Sequence, residues 1–209
     1  MRTRTTEDQQ AKTSITYAIR EGHTLILDHS DRHNNACLQI SQGLIRVALS
    51  SRLAERHDAQ PITLGYLQEG DVINLDLLRD SWLHLESLKT SALKSCLLLQ
   101  TPDPGHISLS DWTTALLVIQ HIGPAEQRLQ ALLRLLVMRL GRRRGAWCEL
   151  PLPIGHERIA EMVNHTRSTV TRQLNHWRRS GLIDSVMGPE GGLRISPQLI
   201  AAPSEAAGP

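Results

Sequence analysis

Cysteine is scarce in this chain. Cys37, Cys96 and Cys148 are the only three, they lie far apart, and their number is odd. No CxxC or Cys/His spacing marks a zinc site or an iron–sulfur cluster, and a reduced, cytoplasmic setting accounts for such usage. No apolar run approaches the roughly 20 residues that a bilayer-spanning helix requires. The opening MRTRTTEDQQAKT lacks the apolar core of a secretion signal, so the expectation is a soluble protein with no membrane partner. Catalytic signatures are missing as well: there is no GxSxG, P-loop or HExxH segment. Small β-roll enzymes of the cupin type hold their metal with an HxH pair and further Glu and His ligands, and no HxH occurs here. A metal-dependent enzyme of that type and a DNA-independent interaction protein remain the alternative readings. No catalytic residue, metal or cofactor is assigned.

What is present is divided unevenly. The chain has 209 residues, 40% of them apolar, which suits one large domain or two small ones. The net charge of +2 conceals an asymmetry. Residues 1–123 carry 11 lysines and arginines against 14 acidic residues, whereas 124–209 carry 12 against 7, and all twelve of those cations are arginine. An acidic front and an arginine-only back point to an anionic partner for the second half.

From Ser14 to Gln100 the chain reads as short strands, SITYAIR, HTLIL, ACLQI, GLIRVAL, PITLGYL and SALKSCLLLQ, separated by turn residues. Many such strands predict a β-roll or jelly roll. After TPDPG (101–105) the pattern becomes helical. Ser108 and Asp111 match a capping box, and Leu109, Trp112, Leu116 and Ile119 follow at steps of three and four. This narrow seam suits either packing on the β-roll or pairing with a second copy of the helix. Pro124 is placed to begin another helix, whose stripe comprises Leu129, Leu132, Leu133, Leu136, Val137 and Leu140. GRRRG (141–145) closes it, either as a solvated helix end or as a phosphate contact.

The segment from Leu150 to Pro197 is the most informative. IGHERIAEMV predicts a short helix with Ile159, Met162 and Val163 inward and small Ala160 where another helix crosses. Asn164 tolerates a left-handed turn, and Thr166 caps a second helix, RSTVTRQLNHWRRSG, whose inner face is Val170, Leu174 and Trp177. Gly181 ends that helix, and LIDSV and GLRIS then flank MGPEG as a hairpin. Two crossed helices and a hairpin make a winged helix-turn-helix, with arginines and small hydroxyls at the end of the second helix that faces base edges.

IGHERIAEMVNHTRSTVTRQLNHWRRSGLI resembles the Crp/Fnr-like bacterial transcription regulators over about residues 124–197, and TRSTVTR (166–172) is similar to the cyanobacterial global nitrogen regulator branch. GLIRV (43–47) and EGDVINLDLL (69–78) resemble the glycine-bounded strands of the family's cyclic-nucleotide-binding-like β-roll. The resemblance implies an α+β chain: a β-roll (jelly roll) over 14–105, a dimerisation helix over 106–123 and a winged helix-turn-helix over 124–200. Mobile segments at 1–13 and 201–209 complete the expected organisation, with Gly123-Pro124 as the hinge. It implies a homodimer joined through Leu109, Trp112, Leu116 and Ile119, acting on double-stranded DNA and, as a transcription regulator, with RNA polymerase.

By the same resemblance Arg167, Ser168 and Arg172 face the bases, Ser168 standing where several relatives place a glutamate. Thr166, Thr169, Thr171, Arg178 and Arg179 are then expected to hold phosphates or sugars. Other departures are Asn164 for a turn glycine, Gly155 for a Ser/Thr cap and Gln173 at an apolar position. The effector pocket falls on Asn74, Leu75, Arg79 and Lys89. The Gly-Glu and Arg-Ser/Thr pairs by which relatives clasp cyclic AMP are missing, so the effector is a different small molecule, such as a dicarboxylate, or there is none.

Overall fold

Strict alternation builds the first half of the molecule. In β6 (Ser81–Cys96), Leu83, Leu85, Ser87, Ser91 and Leu93 are buried while their neighbours are more exposed, the period of a strand with one face in a core. The computed structural model describes residues 15–28, 30–31, 37–52, 60–75, 81–96, 108–186 and 191–201. Of the segments expected to be mobile, 1–13 and all of 201–209 except Ala201 lie outside the described residues, as does Arg79.

Six antiparallel strands form the β-roll: β1 (Thr16–Ile19), β2 (Thr24–Leu27), β3 (Cys37–Ser51), β4 (Ile62–Gln68), β5 (Val72–Asn74) and β6. The sheet order is β1-β6-β3-β4, with β2 also on β6 and β5 on β3. The segments ACLQI and GLIRVAL, expected as two strands, are one. Gly43 takes a positive φ of 99° at a run of register shifts between Ile40 and Ile45, so the chain bends there without breaking. A Cβ at Gly43 would meet the Ser91 Cα at 2.7 Å, which leaves no room for any other residue. Leu38, Ile40, Ile45, Val47, Leu67 and Leu85 fill the interior at 0% exposure.

Next come α1 (Leu109–Gln120) and α2 (Ala125–Leu140). The capping box on α1 is complete: the Asp111 N–H donates to Ser108 Oγ at 3.2 Å, and the Ser108 N–H donates to Asp111 Oδ2 at 3.0 Å. Pro124, expected as the first helical residue, is instead the extended N-cap of α2, one position earlier.

The α1 seam is used within the chain. Trp112 meets Tyr66 of β4 edge-on with ring centroids 5.6 Å apart, and Arg139 of α2 lies over its ring at 5.2 Å. Leu109, Trp112, Leu116 and Ile119 are 8%, 2%, 4% and 6% exposed, so these four have little surface left for a second chain. The dimer-interface assignment is revised accordingly. The large apolar side chains that α1 leaves outside are Leu117 and Val118, at 56% and 60% exposure.

The remaining elements are β7 (Arg142–Arg144), β8 (Trp147–Leu150), α3 (His156–Met162), α4 (Arg167–Arg179), β9 (Ile183–Ser185), β10 (Leu193–Ile195) and α5 (Pro197–Ile200). A second antiparallel sheet runs β7-β8-β10-β9.

Trp112 touches the β-roll where β4 carries Gly65, and a Cβ at Gly65 would lie 2.5 Å from the Trp112 Cβ. Trp112→Ala is expected to cost roughly 3–5 kcal/mol and Gly65→Ala about 1–3 kcal/mol. Urea unfolding checks both; unchanged midpoints would contradict this packing of α1.

Candidate nucleic-acid interface

A left-handed residue makes the angle between α3 and α4. Asn164 has φ 51°, and the N–H of its neighbour His165 donates to Ala160 O at 2.9 Å, closing α3. Gly155 caps α3 with no side chain, and Thr166 caps α4 by accepting the Thr169 N–H at 3.2 Å. Val170, Leu174 and Trp177 are buried on the inner face of α4. The Trp177 indole N–H donates to Glu126 Oε1 of α2 at 3.3 Å, which ties the second helix of the motif to the helix that leads into it.

The opposite face is cationic. Arg167, Ser168 and Arg172 are all exposed, as the base-facing assignment requires. Arg172, Asn175, Arg178 and Arg179 line one open depression of about 440 Å³. Arg178 Nη1 donates to Asn175 Oδ1 at 2.8 Å, and the side chain is half-buried, its charge felt by His156 of α3.

The hydroxyls divide into two sets. Thr166 Oγ1 lies 2.9 Å from both Ser168 Oγ and Thr169 Oγ1, a cluster at the helix N-terminus. Thr171, expected to contact phosphate, is half-buried, and its hydroxyl is 2.8 Å from His156 Nδ1 of α3. Asn175, exposed beside Arg172 and Arg178, and His156, against Thr171, join the residues expected at this face. Asn175 was legible in principle, being three positions from both Arg172 and Arg178, whereas His156 reaches α4 only through the tertiary turn. Gln173 is half-buried, and its Nε2 has no hydrogen-bond partner among the described residues.

The wing forms as expected, with Leu193 paired to Ser185 and Ile195 to Ile183; its tip, 187–190, lies outside the described residues. GRRRG is not a helix end. Arg142–Arg144 is an edge strand on β8, and the nearly inaccessible Glu149 gathers arginines from both sides. Arg194 Nε is 3.0 Å from Glu149 Oε1, while Arg144 Nη1 and Arg142 Nε are 3.5 and 3.6 Å from Oε2. Burial alone would raise the Glu149 carboxyl, but the Arg194 hydrogen bond and the Arg144 charge outweigh it and hold the group below the usual carboxylate range.

A contact that no local pattern announces joins this unit to the β-roll. Glu161 of α3 accepts the Thr63 N–H at 2.8 Å and the Thr63 hydroxyl at 2.6 Å, and its Oε2 lies 3.8 Å from Arg46 Nη2. Arg46 in turn donates to Glu86 at 3.1 Å, and Glu86 also accepts from Arg158 of α3 at 2.6 Å. The Tyr66 hydroxyl donates to Met162 Sδ at 3.7 Å beside this network. A cavity of about 640 Å³ opens next to it, with Arg46, His84, Glu86, Glu157, Arg158 and Glu161 among its walls.

The residues assigned to an effector pocket are placed apart from that cavity. Asn74 lies opposite Cys37 and Lys89 opposite Leu44, on different stretches of β3, while Leu75 is fully in the core.

The packing of α3 carries two expected outcomes. Glu161→Ala leaves the Thr63 N–H and hydroxyl without their acceptor, removes the second carboxylate beside Arg46, and should lower stability by about 1–3 kcal/mol in urea unfolding; an unaltered midpoint would show that the docking carries no energy. His84, His156 and His165 are each held below the ordinary histidine range by burial first, then by Arg46, by Arg178 and Arg167, and by Arg128 respectively. The folded state therefore binds fewer protons than the unfolded one near the ordinary histidine pKa of about 6.5. The stability these neutral rings contribute is complete above that pH and is lost as pH falls below it. The thermal midpoint should drop between pH 7.5 and 5.5, and a flat or rising profile would contradict the assignment.

Comparison with known proteins agrees with this geometry. The Crp-like helix-turn-helix domain matches residues 127–196. The regulatory protein CysR of Synechococcus elongatus is 32% identical over 158 residues, covering 71% of this chain and 72% of that protein. Among solved structures, a CRP/FNR-family transcriptional regulator of Thermus thermophilus aligns with a TM-score of 0.62 at 16% identity, over 90% of this chain and 99% of that one. FixK2 of Bradyrhizobium japonicum aligns with a TM-score of 0.61 at 15% identity, over 92% and 100%. With a β-roll leading through α1 to a helix-turn-helix whose outer face is arginine, the chain belongs to the Crp/Fnr family and is a transcription regulator, not an enzyme.

Proposed function

We propose that the protein is a cytoplasmic, homodimeric regulator that reads a pseudo-palindromic operator by placing its two α4 helices in successive major grooves, about 34 Å apart. The observation that carries this reading is the two-sidedness of α4: Val170, Leu174 and Trp177 anchor it, and Arg167, Arg172 and Arg179 stand in solvent. Arg167 and Arg172 read guanine through the O6 and N7 pair, which suits a planar guanidinium. Ser168 contributes a short hydroxyl at the same surface. Thr166, Thr169, Arg178 and Arg179 hold the backbone, and Thr171 acts chiefly by fixing α3 against α4.

The second copy meets α1 on the face that carries Leu117 and Val118. RNA polymerase is the partner that converts operator binding into transcription. Glu161 and its neighbours are the route by which the state of the β-roll reaches α4, because α3 is bonded to β4 and packs on α4. Any effector acts without the cyclic-AMP clasp, and constitutive binding is the same arrangement with no effector at all.

Arg167→Ala should weaken binding to the cognate site by about 1–3 kcal/mol and scarcely alter binding to random duplex. Equal losses on both, measured by fluorescence anisotropy, would remove Arg167 from base reading. Arg178→Ala should reduce the slope of log affinity against log salt by roughly one on either sequence; a preserved slope would exclude it from the phosphate contacts.

A further inference from the structure

Cys37 and Cys96 are 59 positions apart in sequence and stand directly opposite each other in the β3–β6 ladder. Facing residues of an antiparallel pair have Cα atoms about 4.5–5.5 Å apart, inside the roughly 4.4–6.8 Å that a disulfide spans. Both are free thiols. Cys37 is buried and its Sγ–H donates to Cys96 O at 2.8 Å, while Cys96 is the less buried of the two. Cys148 is on β8, opposite Arg143 and Ile195, and serves as an internal control.

We propose that Cys37 and Cys96 are a redox-convertible pair that closes to a disulfide when a small organic disulfide supplies the oxidising equivalents. Cys96 loses its proton and attacks the reagent, forming a mixed disulfide and releasing one thiolate. Cys37 loses its proton and attacks Cys96 Sγ, forming the protein disulfide and releasing the second thiolate. The reagent gains the two electrons that the cysteine pair gives up, and the two protons appear on the released thiols.

The setting makes this conversion slow at rest. Burial first, and then the Cys37 thiol beside it, push the Cys96 thiol up to about 12, with Lys94 the nearby cation opposing them. Because the thiolate is the nucleophile, the rate rises about tenfold per pH unit well below that value. The bridge also has a mechanical address. The same two strands carry Arg46 and Glu86 as a facing pair, with the register shifts around Gly43 between the two pairs. Closing the thiols ties one end of a ladder whose far half, at Arg46 and Glu86, meets α3.

The test treats the full-length protein with hydroxyethyl disulfide at pH 7.5 and 8.5, followed by intact mass measurement and peptide mapping. The expected product has lost the mass of two hydrogens, carries one bridge joining the peptides of Cys37 and Cys96, and leaves Cys148 outside it. It forms about tenfold faster at the higher pH. Its thermal midpoint rises by several degrees, since the bridge restrains a long loop in the unfolded chain, and falls back with dithiothreitol. Cys96→Ser should abolish the bridge, whereas Cys37→Ser should stop at the mixed disulfide on Cys96. A wild-type product that remains a mixed disulfide, a bridge that includes Cys148, or no reaction at either pH would overturn the proposal.

Discussion

The exposed cationic face of α4 depends on the burial of the opposite side of the helix. Val170, Leu174 and Trp177 are each 1–2% exposed, and burying side chains of this size contributes about 1.5–3 kcal/mol apiece. The arginines of the other face repel one another, but two charges 4 Å apart in water interact by only about 1 kcal/mol, and salt reduces that further. Burial therefore wins, and the helix presents a cationic face without being lifted from the protein by it. The same division of labour leaves Arg167, Arg172 and Arg179 out of the fold's energetics and available to a partner.

Two carboxylates then position what α4 is attached to. Glu149 lies almost wholly inside the small sheet, where an unpaired charge would be costly; three arginines from β7 and β10 surround it instead. Glu161 plays a comparable part between the β-roll and α3, satisfied by the backbone and hydroxyl of Thr63 and by the charge of Arg46. In both places arginine suits the task, because its fork donates in several directions at once. Arg46 bonds Thr63 Oγ1, Pro61 O and Glu86 from one buried guanidinium. The arginines of the second half are thus not all free for a partner: Arg142, Arg144, Arg158 and Arg194 serve the protein's own acids.

Features set by neighbours in sequence were legible before any coordinates. The caps at Ser108 and Thr166, the left-handed Asn164, the inner face of α4 and the wing hairpin each follow from residues within a few positions of one another. What escaped has a common cause in distance. Thr63 and Glu161 are 98 positions apart, and nothing near either residue announces the other. β6 begins at Ser81, ten positions before the SALKSCLLLQ segment expected as a strand, because its alternating stretch pairs with β2 and β3 far away in sequence. Arg142–Arg144 reads as the continuation of a helix end because local charge preference does not reveal a buried acid on the next strand. The α1 seam fits both a β-roll and a twin helix; Gly65, by giving Trp112 a place to sit, decides between them.

Selection of binding sites from a pool of random duplexes by the purified full-length protein tests the central claim most directly. The account predicts enrichment of an inverted repeat whose half-sites are centred about 10–10.5 base pairs apart, one helical turn. Recovery of a lone half-site, or of no common sequence, would contradict it.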